Sequence, residues 1–341
     1  MRRPGMAALA RAAGVSMATV DRALNGRERL KPETLAHIIA TARQIGHPAA
    51  LRFAAGGQPG GTRRFGVVLH KQGQEFYKAF AEELRRAVAQ ERRVDGALVL
   101  EFSGSQSPSE MAGALRKMAE RCDVLAATSV NHPEVTAAVA DLRAAGMTVF
   151  SLLSEFAPGA AAGYLGLDNL KVGRTAGWMM DLAKPGAGTL AIFVGGSRWH
   201  GHELRDQGFR AYLRAHAQHL TVLDTIVNLE TRQLTYEAVT SLLARRPDLA
   251  GIYVAGGGME GAIAALRDAK AEGRVALVVS ALTPESRRGL RGGQVTMVID
   301  TPLEKLCRDL IARMAAVVPG TPVANLAPLF LPPDIHVPES V

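Results

Sequence analysis

Apolar residues recur at helical spacing near the start of the chain. Residues 6–13 carry them at positions i, i+3, i+4 and i+7, which predicts a short helix with one buried face. Gly14 follows, and glycine readily takes the left-handed conformation in which helices often end. Ser16 can cap a second helix over 17–24, because its hydroxyl can accept a hydrogen bond from a free backbone N–H. Two short helices joined by a tight turn predict a helix-turn-helix.

The second of these helices has one apolar and one exposed face. The spacing turns Val20 and Ala23 inward, and it turns Met17, Ala18 and Arg22 toward solvent. In a helix-turn-helix the second helix lies in the DNA major groove, so the exposed face is the candidate for reading bases.

A third helical pattern runs from about residue 31 to residue 45. We therefore expect an all-α helix-turn-helix DNA-binding domain at residues 1–47. Residues 48–64 include a Gly/Pro-rich run at 56–61 and are expected to form a hinge and linker.

From residue 65 onward short apolar runs alternate with helical patterns. Such repetition predicts parallel sheets covered by helices on both faces. The strands are too numerous for one ordinary sheet, so we expect an α/β domain at 65–341 with two doubly wound lobes. The first lobe is expected at 65–165 plus 302–324, and the second at 166–301 plus 325–341.

The charge of the chain follows the same division. Residues 1–64 hold eleven Lys and Arg against three acidic residues, and their net charge of +8 equals that of the whole chain. A cationic module of this kind suits binding to DNA phosphates. A basic segment that is merely solvated is the alternative.

Composition excludes several classes of protein. No run of about 18 apolar residues could span a membrane, and no apolar secretory segment follows the N-terminus, so a cytoplasmic location is expected. The two cysteines do not form a metal-binding or disulfide pattern. Residues 256–261 fit the Gly-x-Gly-x-x-Gly dinucleotide pattern, but the next strand end, at 280–282, lacks the required acid. We expect no enzyme activity, cofactor or metal.

The helix-turn-helix carries a family signature. The pattern Ala-Gly-Val-Ser-x-x-Thr-Val-x-Arg-x-Leu-Asn at residues 13–25 strongly resembles the lactose-repressor (LacI/GalR) family, and the match continues to residue 48. The rest of the chain is similar to that family's effector domain, of the periplasmic-binding-protein type I fold. The resemblance implies a homodimeric transcriptional repressor that binds double-stranded operator DNA and a small sugar or polyol effector.

The resemblance also implies roles for single residues. The base-reading positions hold Met17, Ala18 and Arg22, of which Arg22 can pair bidentately with guanine. The phosphate-contacting positions hold Ser16, Thr19 and Asn25.

Two departures from the family occur in the DNA-binding part. Gly5-Met6 replaces the usual polar cap of the first helix. Ala55 stands where the family's hinge leucine enters the minor groove, and a wedge needs bulk, so Leu51 or Phe53 are the candidates for this contact.

An effector would bind where the carboxyl ends of the strands in the two lobes face each other. Gln74, Asn131, Ser154 and Glu155 follow strands of the first lobe. Arg205 and Asp300 could clamp a sugar, and an aromatic ring from Phe76, Tyr77 or Trp199 could lie under it. The candidate effector-binding residues are His70, Phe76, Tyr77, Ser129, Asp168, Arg205, Gly257, Ser280 and Asp300.

Alternatives remain for these residues and for the function. Phe76 could pack inside its lobe, Arg205 could lie on the surface, and Asp168 could cap the following helix. The strand ends at 256–258 and 280–282 lack acidic side chains, which indicates a smaller or less hydroxylated effector, or a pocket that binds no sugar. A solute-binding protein of a sugar transporter is the alternative function, although the missing signal and the basic helix-turn-helix disfavour it.

Overall fold

A computed structural model describes residues 5–25, 30–47, 62–318, 320–323 and 325–341 of the chain. The first two ranges form the predicted three-helix unit, with bounds α1 Met6–Ala12, α2 Met17–Asn25 and α3 Pro32–Gln44. One apolar core joins the three helices and contains Leu9, Ala10, Ala13, Val20, Ala23, Ile38 and Ala42.

The turn between α1 and α2 has the chemistry that the sequence predicts. Gly14 adopts a left-handed φ of +64°. The Ser16 hydroxyl accepts a hydrogen bond from the Thr19 backbone N–H at 3.1 Å. Gly5 precedes α1 without capping it through a side chain. His37 Nε2 of α3 lies 3.1 Å from the Ala13 carbonyl oxygen, which links the third helix to the turn.

The first α/β lobe contains a six-stranded parallel sheet. Its strands are β1 Arg63–His70, β2 Gly96–Ser103, β3 Val124–Ala127, β4 Val149–Leu152, β5 Gly163–Leu167 and β12 Leu329–Leu331. They lie in the order β12-β5-β4-β3-β1-β2. Its helices are α4 Glu75–Gln90, α5 Pro108–Ala119, α6 Pro133–Ala144 and α12 Leu303–Ala316.

The second lobe contains a second sheet. Its strands are β6 Gly188–Val194, β7 Leu220–Val222, β8 Ile226–Val227, β9 Leu249–Val254, β10 Ala276–Val279, β11 Met297–Asp300 and β13 Asp334–His336. They lie in the order β13-β11-β10-β9-β6-β7, and β8 is also paired to β6. Its helices are α7 Asn169–Ala183, α8 His200–His216, α9 Arg232–Arg245, α10 Met259–Asp268 and α11 Pro284–Arg291. A 3₁₀ turn, Pro338–Ser340, follows β13. Strand β13 runs antiparallel to β11.

The chain passes between the lobes after β5, after β11 and after β12. The prediction that 325–341 belongs wholly to the second lobe is wrong, because Leu329–Leu331 pairs with β5 of the first sheet. Strand β5 likewise extends to Leu167, beyond the predicted boundary at 165. Three-residue apolar runs beside Pro332-Pro333 give too short a pattern to predict a strand.

Helices α7 and α8 lie unusually close together. A Cβ atom on Gly173 would come within 2.0 Å of the Arg205 carbonyl oxygen, and one on Gly208 within 2.1 Å of the Leu170 carbonyl oxygen. Only glycine fits at these two crossings of α7 and α8. Among the described helices none combines the length and the apolar character needed to cross a bilayer.

Candidate functional sites

Helix α2 presents the predicted reading face to solvent. Met17 is 54% exposed, and Ala18 and Arg22 are exposed too, while Val20 and Ala23 are buried. The predicted contacts Leu51 and Phe53 lie outside the described residues, and so does the side chain of Asn25. The placement of α2 suits contact with DNA through the side chains of its outer face.

Ser16 and Thr19 are held together at the start of α2. Besides the N–H bond to Ser16, the two hydroxyl oxygens lie 2.8 Å apart and are hydrogen bonded. Both hydroxyls are therefore fixed beside the N-terminal end of the helix, where an anionic group such as a DNA phosphate is favourable.

A cavity of about 90 Å³ lies between the two lobes. On the same measure one water needs roughly 10–15 Å³, so the cavity can take a small molecule. Five of the predicted effector-binding residues line it: Phe76, Tyr77, Arg205, Gly257 and Ser280. Gln74, Ser154 and Trp199, also considered from the sequence, contribute to the lining.

Four predicted effector-binding residues do not line this cavity: His70, Ser129, Asp168 and Asp300. Ser129 is turned away, because its hydroxyl contacts the Met111 sulfur at 3.3 Å. Asp168 caps α7 by accepting a hydrogen bond from the Lys171 N–H at 3.2 Å, which is the alternative considered above. Asp300 lines a separate outer groove beside α4. His70 lies directly behind the cavity wall, with its ring centroid 5.4 Å from that of Trp199.

Glu230 is the main lining residue that sequence reasoning missed. It lies in the loop between β8 and α9, where both Leu229 and Glu230 have left-handed φ values, of 49° and 55°. Asn228 stabilises this loop by accepting the Glu230 N–H at 2.8 Å and by donating to the Gly257 carbonyl at 2.9 Å. A left-handed Leu-Glu pair carries no sequence signal, because such conformations are usually marked by Gly or Asn.

The Glu230 carboxylate is buried among groups from both lobes. Its Oε1 accepts a hydrogen bond from the Gly257 N–H at 3.2 Å and lies 3.7 Å from His202 Nε2. Burial raises the pKa of Glu230, and the Gly257 bond and the charges of Lys71 and Arg205 act in the opposite direction.

Two neutral histidines flank this carboxylate. His70 Nδ1 lies 2.8 Å from the Ser103 carbonyl oxygen, so Nδ1 carries the proton, and burial lowers the pKa of His70 to about 4. His202 Nδ1 accepts the Gly195 N–H at 3.1 Å, so its proton is on Nε2, and burial lowers the pKa of His202 to about 3. The two rings therefore present opposite tautomers to Glu230.

Several polar atoms around the cavity have no hydrogen-bond partner among the described residues. Buried polar atoms in proteins are nearly always paired, so a cluster of orphans at a cavity indicates a place for a polar ligand. The atoms in question are His70 Nε2, Thr128 Oγ1, Trp199 Nε1 and Glu230 Oε2.

Direct hydrogen bonds join the lobes around the cavity. Gln74 Nε2 donates to the Glu230 carbonyl at 2.8 Å, and the Lys71 ammonium donates to the Leu229 carbonyl. On the other side the Gly201 N–H donates to the Ser154 hydroxyl at 3.0 Å. The structure therefore represents a closed arrangement of the two lobes.

Known protein families match both parts of the chain. The family model described as "Bacterial regulatory proteins, lacI family" matches residues 6–48. The model described as "Periplasmic binding protein domain" matches residues 65–322. No curated protein sequence gives a significant match.

Solved structures with the same fold include sugar-binding transporter components. A solute-binding protein from Actinobacillus succinogenes with bound D-allose aligns with a TM-score of 0.73 and 17% identity, over 82% of this chain and 99% of that chain. A solute-binding protein from Burkholderia graminis in complex with D-arabinose gives 0.70 and 16%, over 81% and 96%. The glucose-galactose binding protein GanP from Geobacillus stearothermophilus gives 0.73 and 17%, over 82% and 99%.

The low identities to these structures show a shared fold. The two family matches and the exposed reading face of α2 show more, because they combine a DNA-binding module with a two-lobed binding domain in one chain. The chain belongs to the LacI family of bacterial DNA-binding regulators and carries a periplasmic binding protein domain as its second part.

Proposed function

We propose that the protein is a cytoplasmic repressor of transcription whose binding to operator DNA responds to a small sugar or polyol held between the lobes. The observation that carries the effector part is the cluster of unpartnered polar atoms around the interlobe cavity. Three of them belong to residues that line the cavity, and they comprise the Thr128 hydroxyl, the Trp199 indole donor and one Glu230 acceptor. This mixture suits ligand hydroxyls, because a hydroxyl both donates and accepts.

The aromatic residues of the cavity support the same class of ligand. Phe76, Tyr77 and Trp199 line it, and their rings offer apolar faces for the C–H surface of a sugar or polyol. The small volume of the cavity favours a monosaccharide-sized molecule.

The proposed response of DNA binding to the effector depends on closure of the lobes. A ligand shifts an equilibrium only through unequal affinity for its two states. The cavity is formed by both lobes, so a bound effector stabilises the closed arrangement more than an open one. We infer that this difference moves the paired helix-turn-helix units of a homodimer relative to the two half-sites of an operator.

A solute-binding role is the second candidate, favoured by the fold that the chain shares with transporter components. The two roles differ in DNA binding.

A mobility-shift titration of the protein on its own upstream DNA with D-allose, D-arabinose and a set of pentitols tests the proposal. We expect at least one compound to change the midpoint of the shift. Sugar binding without any DNA shift would favour the solute-binding role instead.

A further inference from the structure

Two hydrogen-bond acceptors from opposite lobes face each other beside the cavity. His70 Nε2, at the end of β1, lies 3.9 Å from Glu230 Oε2, in the loop before α9. Neither atom has a hydrogen-bond partner among the described residues, and both are shielded from solvent. Two buried acceptors without a donor between them are unfavourable, so this position requires a hydrogen from elsewhere.

The imidazole of His70 is a poor source of that hydrogen. Its single proton is on Nδ1 and is used by the Ser103 carbonyl, 2.8 Å away. A second proton would create a buried cation beside Lys71, which disfavours it.

Glu230 can supply the hydrogen when it is neutral. The charged and titratable groups that face it are His70 and Lys71 from the first lobe, Tyr77 from α4, and His202 and Arg205 from α8. The Lys71 ammonium is directed to the Leu229 carbonyl, and two of the Arg205 nitrogens are bonded to Asn169 and Ala255. Among the described residues no lysine or arginine lies within ion-pair distance of the Glu230 carboxylate. The two histidines that lie within this distance, His70 and His202, are neutral.

We propose that Glu230 determines which effectors the cavity accepts: it binds hydroxyl groups of an uncharged ligand as a carboxylate, and it gives up a proton to solvent when the ligand arrives. The proposal rests on the proposed function, since it concerns the same cavity. In the empty cavity Glu230 carries a proton, which removes one of the two facing acceptors, although at 3.9 Å the two atoms are too far apart for a direct hydrogen bond. In the occupied cavity the ligand hydroxyls donate to the carboxylate of Glu230, which lines the cavity, and stabilise its ionised form.

The same arrangement discriminates against anions. A sugar acid or a sugar phosphate brings further acceptors to a position that already has two, and it repels the ionised Glu230. The buried Arg205 offers little compensation, because its Nε and Nη1 are each bonded to the protein at 2.7 Å. Neutral polyhydroxy compounds are therefore expected to bind, and their acidic counterparts are not.

Binding of two matched sets of compounds tests the proposal. The neutral set contains D-allose, D-arabinose, D-ribose and ribitol, and the anionic set contains D-gluconate and D-ribose 5-phosphate. Affinities are measured by calorimetry on the full-length protein between about pH 5 and pH 8, a range above the pKa values of His70 and His202. The variants are Glu230→Gln and, as a matched control, Glu237→Gln, an exposed carboxylate on α9.

We expect the wild type to bind a neutral compound, with an affinity that rises up to tenfold for each pH unit while Glu230 is still protonated in the empty cavity. Glu230→Gln should weaken binding by roughly 10- to 100-fold and remove the pH dependence, because its amide presents a fixed donor. Glu237→Gln should behave as the wild type. Retained DNA binding and an unchanged circular dichroism spectrum show that Glu230→Gln is folded.

The results that would overturn the role of Glu230 differ from those that would overturn the proposed sugar or polyol effector. Preference for the anionic set, or wild-type affinity and pH dependence in Glu230→Gln, overturns the role of Glu230 but leaves an effector cavity in place. If no compound of either set binds at any pH, the sugar or polyol effector is wrong, and the inference about Glu230 is wrong with it.

Discussion

The guanidinium of Arg205 donates its Nε–H to Oδ1 of Asn169 across 2.7 Å, and both side chains are buried. Its Nη1 donates to the Ala255 carbonyl at 2.7 Å. Arg205 therefore connects α8 to the start of α7 and to the end of β9, and it lines the cavity. The sequence predicted a ligand clamp here, and the structure adds a scaffold role, which changes what a substitution should do.

Arg205→Ala should abolish the effector response and also destabilise the second lobe by about 3 kcal/mol, because buried acceptors on Asn169 and Ala255 lose their donor. Arg205→Lys should keep much of the stability and still impair the response, since an ammonium cannot reproduce the planar geometry. Urea unfolding gives the stability, and a mobility-shift titration gives the response. An unchanged effector response in Arg205→Ala would remove this residue from the effector site.

The close crossing of α7 and α8 makes a second prediction. Gly173→Ala and Gly208→Ala should each cost more than about 2 kcal/mol, because the new methyl group would overlap backbone carbonyls at 2.0 and 2.1 Å. Gly113→Ala, in α5, is the control, since nothing lies within 4 Å of its added Cβ. That control should be neutral or stabilising by up to roughly 1 kcal/mol. Equal effects of the three substitutions on urea unfolding would refute the packing argument.

Much of this architecture could be predicted from the sequence, and the reasons for the misses are local. The alternation of strands and helices from residue 65 onward could be predicted, because segments such as Glu75–Gln90 are long enough for their apolar period to be clear. Strand β12 was missed because three residues carry no period. In the cavity, five of the nine residues predicted from the strand ends form part of the lining, and four do not. Glu230 was not predicted, because its position depends on a left-handed loop and on the packing of two lobes.

Acidification should weaken the effector domain through His70. Its folded-state pKa of about 4 lies below the ordinary value of 6.5, so the stability that depends on its neutral form is complete above pH 6.5 and is lost as the pH falls toward about 4. Between about pH 7 and pH 5 the loss in the free energy of unfolding that comes from His70 amounts to roughly 2 kcal/mol. The raised pKa of Glu230 acts in the opposite direction, so His70→Gln is compared with wild type at both pH values. The variant should show the smaller loss, and an identical loss would contradict a buried neutral His70.

Arg22 provides the prediction for sequence reading. Arg22→Ala should weaken binding to the operator by about 1–3 kcal/mol and relax the base preference at one position of each half-site. Arg267→Ala, an exposed arginine of α10, removes the same charge far from α2 and is the control. Quantitative mobility shifts with single-base operator variants measure both effects. Parallel behaviour of the two variants would mean that Arg22 contributes charge alone.

Competition binding tests the central claim that this chain is an effector-responsive DNA-binding regulator. Purified protein is titrated onto DNA from upstream of its own coding sequence, with an excess of random duplex, at several salt concentrations. The account predicts a preference for the upstream DNA whose affinity falls steeply with salt, because the basic residues of the N-terminal part neutralise phosphates. Equal affinity for every duplex, or no binding at low salt, would contradict it.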